Sequence, residues 1–334
     1  GDKSVPLASI ECDRESRARY LGPYHGASDK VACLCRTDGI PMGVARRATP
    51  YETFYLYPLH RTDPTRHAFG CPHRISPDNS SRPETLPVIE IGDGFVNVNL
   101  KLPLFRAGPN DPRAELRGED GTDDGERKRP RGELISLLEV LWAQAELNRW
   151  QRGFAGRRSY YVVRQRLMRA ATGLRVRGRN LATRFYVPPA YRADLDQSIE
   201  GELNQFLGNL IGPAGKRWYG FVGGLLKKIE TMNNGSATLR LAHTWLGLRA
   251  DANVWCRLGK KWFADSPSTT DDEACIVLAH VLREDGMKPR LVIEDIAVME
   301  IADTNCWIPV HSGHERRLAR HLVQNGRRFR KPLD

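Results

Sequence analysis

The chain has 334 residues, 40% hydrophobic and 27% charged, with a formal charge of +11, so it can form two or three domains with real cores. No apolar run approaches the roughly 18 residues needed to cross a bilayer, and the opening GDKSVPLASIECDRES lacks the basic flank and apolar centre of a signal peptide. Seven cysteines spread over this length argue against a secreted disulfide scaffold, so reduced thiols and a cytoplasmic location are expected.

Residues 1–109 read as short strands and turns. ETFYLYPL at 52–59 alternates in strand fashion, and PVIEIGDGFVNVNLKL at 87–102 predicts a hairpin turning at Gly92-Asp93-Gly94. This section also holds two matched doublets. VACLCRTDG carries Cys33 and Cys35, and after 35 intervening residues CPHR carries Cys71 and His73. In an extended segment, positions i and i+2 face the same side, so each doublet can act as a two-toothed clamp. Three thiolates and an imidazole suit Zn²⁺, which predicts a zinc site of Cys33, Cys35, Cys71 and His73. His67 stands in reserve as a ligand, with His60 nearby for that position or for support. The competing reading is unliganded buried thiols, which is expected for Cys12, Cys256, Cys275 and Cys306. Four protein ligands close a tetrahedron, so the site should be structural. A catalytic zinc would need one ligand released and a base such as Glu52 or Asp63.

Residues 110–131 begin NDPRAELRGEDGTDDG, show no apolar periodicity and read as a flexible linker. A basic helical section, 132–212, follows. GELISLLEVLWAQAELNRW (132–150) places Leu134, Leu137, Leu138, Leu141, Trp142 and Ala145 on one stripe. SYYVVRQRLMRAAT (159–172) predicts a helix burying Tyr161, Val162, Leu167, Met168 and Ala171, with Arg164, Arg166 and Arg169 outside. A third helix is expected over 196–212. From Leu147 to Ala193 there are twelve arginines, no lysine and no acid. Such a concentration points to a polyanion, DNA before RNA, contacted by Arg157, Arg158, Arg164, Arg166, Arg169, Arg175, Arg177 and Arg179. Trp150, Tyr160 and Tyr161 could stack on bases or serve as helix core. A solvated arginine face balanced by acids elsewhere is the alternative.

In 213–303 the period changes to two. KRWYGFVGGLLKKIETMNNGSATLRLAHTWLGLRA predicts two long strands turning at Asn233-Asn234-Gly235. A short helix over 251–265 and a hairpin over 273–303, turning near Asp285-Gly286, complete an antiparallel sheet with a helix. The final section, 304–334, has Ser312 and Glu315 as a capping box and Leu318, His321 and Leu322 as part of an inner face. RRFRKPL then starts a strand with no partner strand after it, so this section reads as truncated. The whole is an α+β protein.

Three resemblances follow from these motifs. The C-x-C…C-x-H arrangement resembles the ligand set of SWIM-type zinc modules, with a longer central gap. CLC…HAFGCPHR, LLEVLWAQAELNRWQRGFAGRRSYYVVRQRL, FVGGLLKKIE and WIPVHSGHERRLARHLVQNGRRFRKPL together resemble the bacterial family catalogued as domain of unknown function 1173. That resemblance covers residue 30 onward and implies a plasmid or integrative-element context without naming a reaction. SGHERRLARHL before a strand resembles the start of a PD-(D/E)xK nuclease fold, in which Glu315 would be the helix acid. The following Asp and E-x-K are absent, and the chain's E-x-K, Glu126 to Lys128, lies in the linker. The chain itself is therefore not expected to be a competent nuclease. No Walker, G-x-S-x-G or H-E-x-x-H motif is present. The leading expectation is a zinc-stabilised nucleic-acid-associated factor. A nuclease completed beyond residue 334, a homo-oligomer or a partner of conjugation proteins are the alternatives.

Overall fold

The computed structural model describes residues 4–11, 13–27, 30–47, 53–59, 67–68, 71, 73, 89–92, 95–98, 100, 102–106, 133–190, 196–213, 216–244, 246–262, 274–285 and 290–333. The linker 110–131, Cys12, Glu52, His60, Asp63 and the turn residues Asp93, Gly94 and Gly286 lie outside them. The chain divides into two units. The first is Gly1–Ser76 with Ser312–His314, and the second is Pro77–His311 with Glu315–Asp334.

Unit 1 begins with α1 (Leu7–Glu11) and α2 (Arg14–Leu21). Asp13 caps α2, its Oδ1 accepting from the Ser16 amide at 2.7 Å, which satisfies one of the helix's orphan donors. Strands β1 (Val31–Cys33), β2 (Ile40–Arg47) and β3 (Thr53–Pro58) then form an antiparallel sheet in that order. The last strand matches the alternation read in 52–59. Gly39, at φ 62°, makes the turn that returns the chain from β1 into β2, a conformation that favours glycine. Period two sends Ile40, Met42 and Val44 of β2 into a small buried cluster.

Unit 2 opens with the hairpin β4 (Ile89–Gly92) and β5 (Phe95–Val98), then β6 (Phe105–Arg106) and α3 (Glu133–Gln144). Next come β7 (Arg149–Trp150), α4 (Tyr160–Thr172), β8 (Leu174–Val176), β9 (Arg179–Asn180), β10 (Phe185–Tyr186) and α5 (Asp196–Asn209). The remainder is β11 (Arg217–Thr231), β12 (Ala237–Leu241), β13 (Gly247–Ala250), α6 (Ala252–Trp262), β14 (Cys275–Glu284), β15 (Arg290–Ile301), β16 (Pro309–Val310), α7 (Gly313–Gln324), which belongs to unit 2 from Glu315 on, and β17 (Phe329–Arg330).

The mixed α+β class is as expected, but several details differ. The helix read over 132–150 stops at Gln144. Glu146 takes φ 56°, and the chain then leaves as β7. The strand RRFRKPL has a partner after all: β17 pairs antiparallel with β7, Phe329 opposite Trp150. That partner lies in a segment whose apolar spacing reads as helix. Arg175, Arg177 and Arg179 sit on the hairpin β8–β9 rather than on a helix. Its two turn residues, Arg177 and Gly178, have φ 49° and 76°, as a tight hairpin turn requires. The second of the two long strands is itself a hairpin, β12–β13, with His243 at φ 63° between its arms.

β11 is long enough to serve several neighbours. It pairs with β14 through Tyr219–Leu225 and with β12 through Leu226–Thr231, and β10 runs parallel to it. Because β12 pairs β13, β13 pairs β15 and β15 pairs β14, these strands close a ring. A closed ring leaves fewer open edges than the simple antiparallel layer read from the sequence. The α3 stripe (Leu134, Leu137, Leu138, Leu141, Trp142) packs in one core with Ile276, Leu278, Ala297 and Met299 of β14 and β15. Trp142 Nε1 donates to the Trp307 carbonyl at 3.1 Å, so this large ring is buried without an unmet donor.

Candidate metal centre

The end of β1 carries Cys33, and the following turn carries Cys35. The intervening Leu34 is 65% exposed, so the two sulfurs turn away from it together. A second short segment supplies two more donors four residues apart, His67 and Cys71, in a turn where the Cys71 amide donates to the Ala68 carbonyl at 3.0 Å. Cys33 Sγ lies 3.6 Å from Cys71 Sγ, and His67 Nδ1 lies 3.5 Å from both Cys35 Sγ and Cys71 Sγ. All four atoms fall within 4.8 Å of one another, and the group could hold a metal ion. The Ala68 amide donates to Cys35 Sγ at 3.4 Å, a contact that suits a thiolate.

The imidazole in the group is therefore His67, the reserve of the sequence reading. His73 is buried with its ring centroid 6.0 Å from that of His67, and it is not among the four. The signal was present in HAFGC, where a three-residue gap matches common zinc-ligand spacing better than the one-residue gap of CPH. The one-residue gap of CPH instead mirrors the C-x-C doublet, which favours His73 by symmetry alone.

The electrostatics of the three sulfurs are strongly uneven. The Cys71 thiol hydrogen-bonds the Cys33 sulfur and holds Cys33 down at about 3. The same bond, together with burial, pushes Cys71 well above the thiol range, and burial raises Cys35. Three sulfurs at this distance do not all carry negative charge without a cation beside them.

The family model described as Protein of unknown function (DUF1173) matches residues 9–334. The chain belongs to this family. No curated protein and no solved structure matches it. Among the described residues, no helix of this family member is long and apolar enough to cross a membrane.

The remaining candidate residues lie in unit 2. Arg158 is 4% exposed, and its guanidinium donates to the carbonyls of Leu147 (3.1 Å), Cys306 (2.7 Å), Glu146 (3.2 Å) and Arg149. Burial, and then the charge of Arg166, lowers its pKa to about 10. Arg164 is also buried, donating to the Val187 carbonyl at 2.9 Å and pairing with Glu202. Their donors serve the fold, which removes both from the phosphate-facing set. The α4 helix is correspondingly rotated from the expected face: Val163, Arg164, Leu167, Ala170 and Ala171 point in, and Tyr161 is 59% exposed. Trp150 and Tyr160 pack in the core clusters.

Arg157, Arg169, Arg177 and Arg179 are exposed. Arg166 reaches the Ala145 carbonyl at 3.3 Å, Arg177 donates to that of Leu102 at 3.4 Å, and Arg175 stacks on the Phe95 ring at 3.8 Å. Glu315 accepts from the His311 amide and from Lys331 Nζ, both at 2.8 Å. It thus closes the start of α7 and ties it to the segment after β17. Cys275 and Cys306 are buried as expected, whereas Cys256 is exposed.

Proposed function

We propose that Cys33, Cys35, His67 and Cys71 hold a structural Zn²⁺, and that the protein is a cytoplasmic, nucleic-acid-associated factor of a plasmid or integrative element. The spacing of the four donor atoms carries the metal reading. Tetrahedral zinc, with Zn–S about 2.3 Å and Zn–N about 2.0–2.1 Å, sets sulfurs about 3.8 Å apart and sulfur about 3.5 Å from nitrogen. The 3.6, 3.5 and 3.5 Å separations lie close to that figure. They are far from the roughly 2.05 Å of a disulfide. Thiolates with an imidazole favour zinc over hard cations such as Mg²⁺ or Ca²⁺. Four protein donors complete the coordination, so the ion would fasten the His67–Cys71 turn to the end of β1. Elemental analysis of protein prepared without chelator should give about one zinc per chain, and less than half an equivalent would overturn this reading.

The nucleic-acid reading is supported by the acid-free run of twelve arginines and by the exposed members Arg157, Arg169, Arg177 and Arg179. The element setting is supported by the family resemblance. Binding to labelled oligonucleotides should weaken steeply as salt rises, because neutralised phosphates release counterions. Affinity that is absent, or indifferent to salt, would reject it.

A further inference from the structure

A second cluster, of which the sequence singled out Arg179 alone, lies where β6 meets the first two residues of β11. Phe105 pairs with Trp218, and Arg106 with Arg217. The pairing of β11 with β14 starts only at Tyr219, so this two-residue ribbon extends past that neighbour. The Phe105 and Trp218 rings meet edge to face, with centroids 5.6 Å apart, and Phe105 is 51% exposed. Two guanidinium groups stack on the same indole, Arg179 Cζ at 4.4 Å and Arg184 Cζ at 4.0 Å from its centroid. Neither has an acidic partner among the described residues. The site is shaped for this indole: a Cβ on Gly212 would lie 2.5 Å from Trp218 Nε1.

This arrangement is costly for the protein alone. Burial, and then the charge of Arg179, holds the Arg184 guanidinium below its ordinary range. Arg106 and Arg217 are directly opposed across the ribbon, a like-charge pairing that destabilises a sheet. Among the described residues, the acid paired with Arg217 is Asp285, at 3.4 Å, and it is shared with Arg283. A polyanion would offset this concentration of charge. A guanidinium stacked by its flat face keeps its N–H edges free to donate to phosphate oxygens. The exposed Phe105 ring beside it offers a base a stacking surface, and a base face is accessible only when the strand is unpaired.

We infer that this ribbon is a contact site for single-stranded nucleic acid, with Phe105 stacking on an unpaired base and Arg179 and Arg184 binding the adjoining phosphates. The inference rests on the nucleic-acid reading above and locates it. The test is fluorescence anisotropy of the full zinc-loaded chain with labelled oligo-dT and with a duplex of equal length. Phe105→Leu keeps an apolar contact to Trp218 but loses the aromatic face. It should weaken oligo-dT about tenfold and leave the duplex unchanged. Arg179→Gln with Arg184→Gln should weaken oligo-dT and lower its salt slope by about 1.4, at about 0.7 per phosphate contact on a single strand. Unchanged thermal melts establish that each variant is folded.

If the wild-type chain binds no nucleic acid at low salt, both the reading and the site fall. If it binds, and Arg157→Gln with Arg169→Gln weakens it while the ribbon variants do not, the reading stands and this site is overturned. Competition by polyglutamate as effective as by oligo-dT would also overturn it.

Discussion

Among the described residues, the two units differ sharply in the apolar core that each one buries. Unit 2 has an extended apolar core reaching from β5 through α3 and α4 to β14 and β15. In unit 1 the buried apolar residues among those described are Leu21, Ile40, Met42, Val44 and Cys71, the last being one of the four donors. So small a cluster stabilises a fold poorly, and small folds commonly add a metal or a disulfide. Among the described residues, the four candidate donors thus lie in the unit with the smaller apolar cluster. Where burial is extensive, Cys275 and Cys306 are simply core residues.

On the proposal that the four donors hold zinc, the largest expected effect is loss of that metal. A structural zinc site contributes about 10–16 kcal/mol of apparent binding free energy at neutral pH. Chelation or Cys71→Ser should abolish hydrogen-exchange protection in β1–β3 while β11, β14 and β15 retain theirs. Protection lost equally in both units, or in neither, would break the contrast. In unit 2 the corresponding blow is to the core: Trp142→Ala should cost about 3–5 kcal/mol in a denaturant melt without lowering zinc content.

A smaller effect separates arginines that look equivalent in the sequence. Arg158→Ala strands four carbonyls and should cost about 3 kcal/mol. Arg157→Ala, one position away and exposed, should stay within about 0.5 kcal/mol. Equal effects in thermal melts would refute the division of the arginine run into buried and surface members.

The smallest effect concerns Glu315. Burial opposes its ionisation, but the hydrogen bonds from Lys331 and the His311 amide hold its pKa below the ordinary carboxylate value. Its contribution is present above the unfolded pKa of about 4.3 and is lost as pH falls through the lower folded value. The group is half-exposed, so Glu315→Gln should cost less than about 1 kcal/mol at neutral pH. That difference from wild type should vanish in acid. A difference constant with pH would make the residue a packing group only.

Much of the secondary structure follows from local pattern. The α3 stripe, the alternation in β3, the Asn-Asn-Gly turn between β11 and β12 and the valines of β5 each announce their period. The errors arose where polar groups replaced apolar ones inside. On α7 the inner positions are Arg316 and Ala319, with Arg316 Nη2 2.8 Å from Glu300 Oε2, while Leu318 is 57% exposed. On α4 the same exchange put Arg164 inside and Tyr161 outside. A search for apolar stripes cannot recognise a buried arginine whose partner comes from another element.

The candidate metal group shows the same division. Residue types and their closeness in the chain were enough to identify soft donors in 33–73 and to expect a closed four-ligand set. Which imidazole joins the sulfurs depended on how the 67–73 segment turns, because coordination is a matter of ångströms and His67 and His73 flank the same cysteine. Charge density likewise announced a basic segment. Only the three-dimensional arrangement sorted its arginines into buried braces and surface groups, and brought Arg184, Trp218 and Phe105 together from separate strands and turns. Local periodicity is written in neighbouring residues, whereas partners across sheets and between helices are chosen by packing.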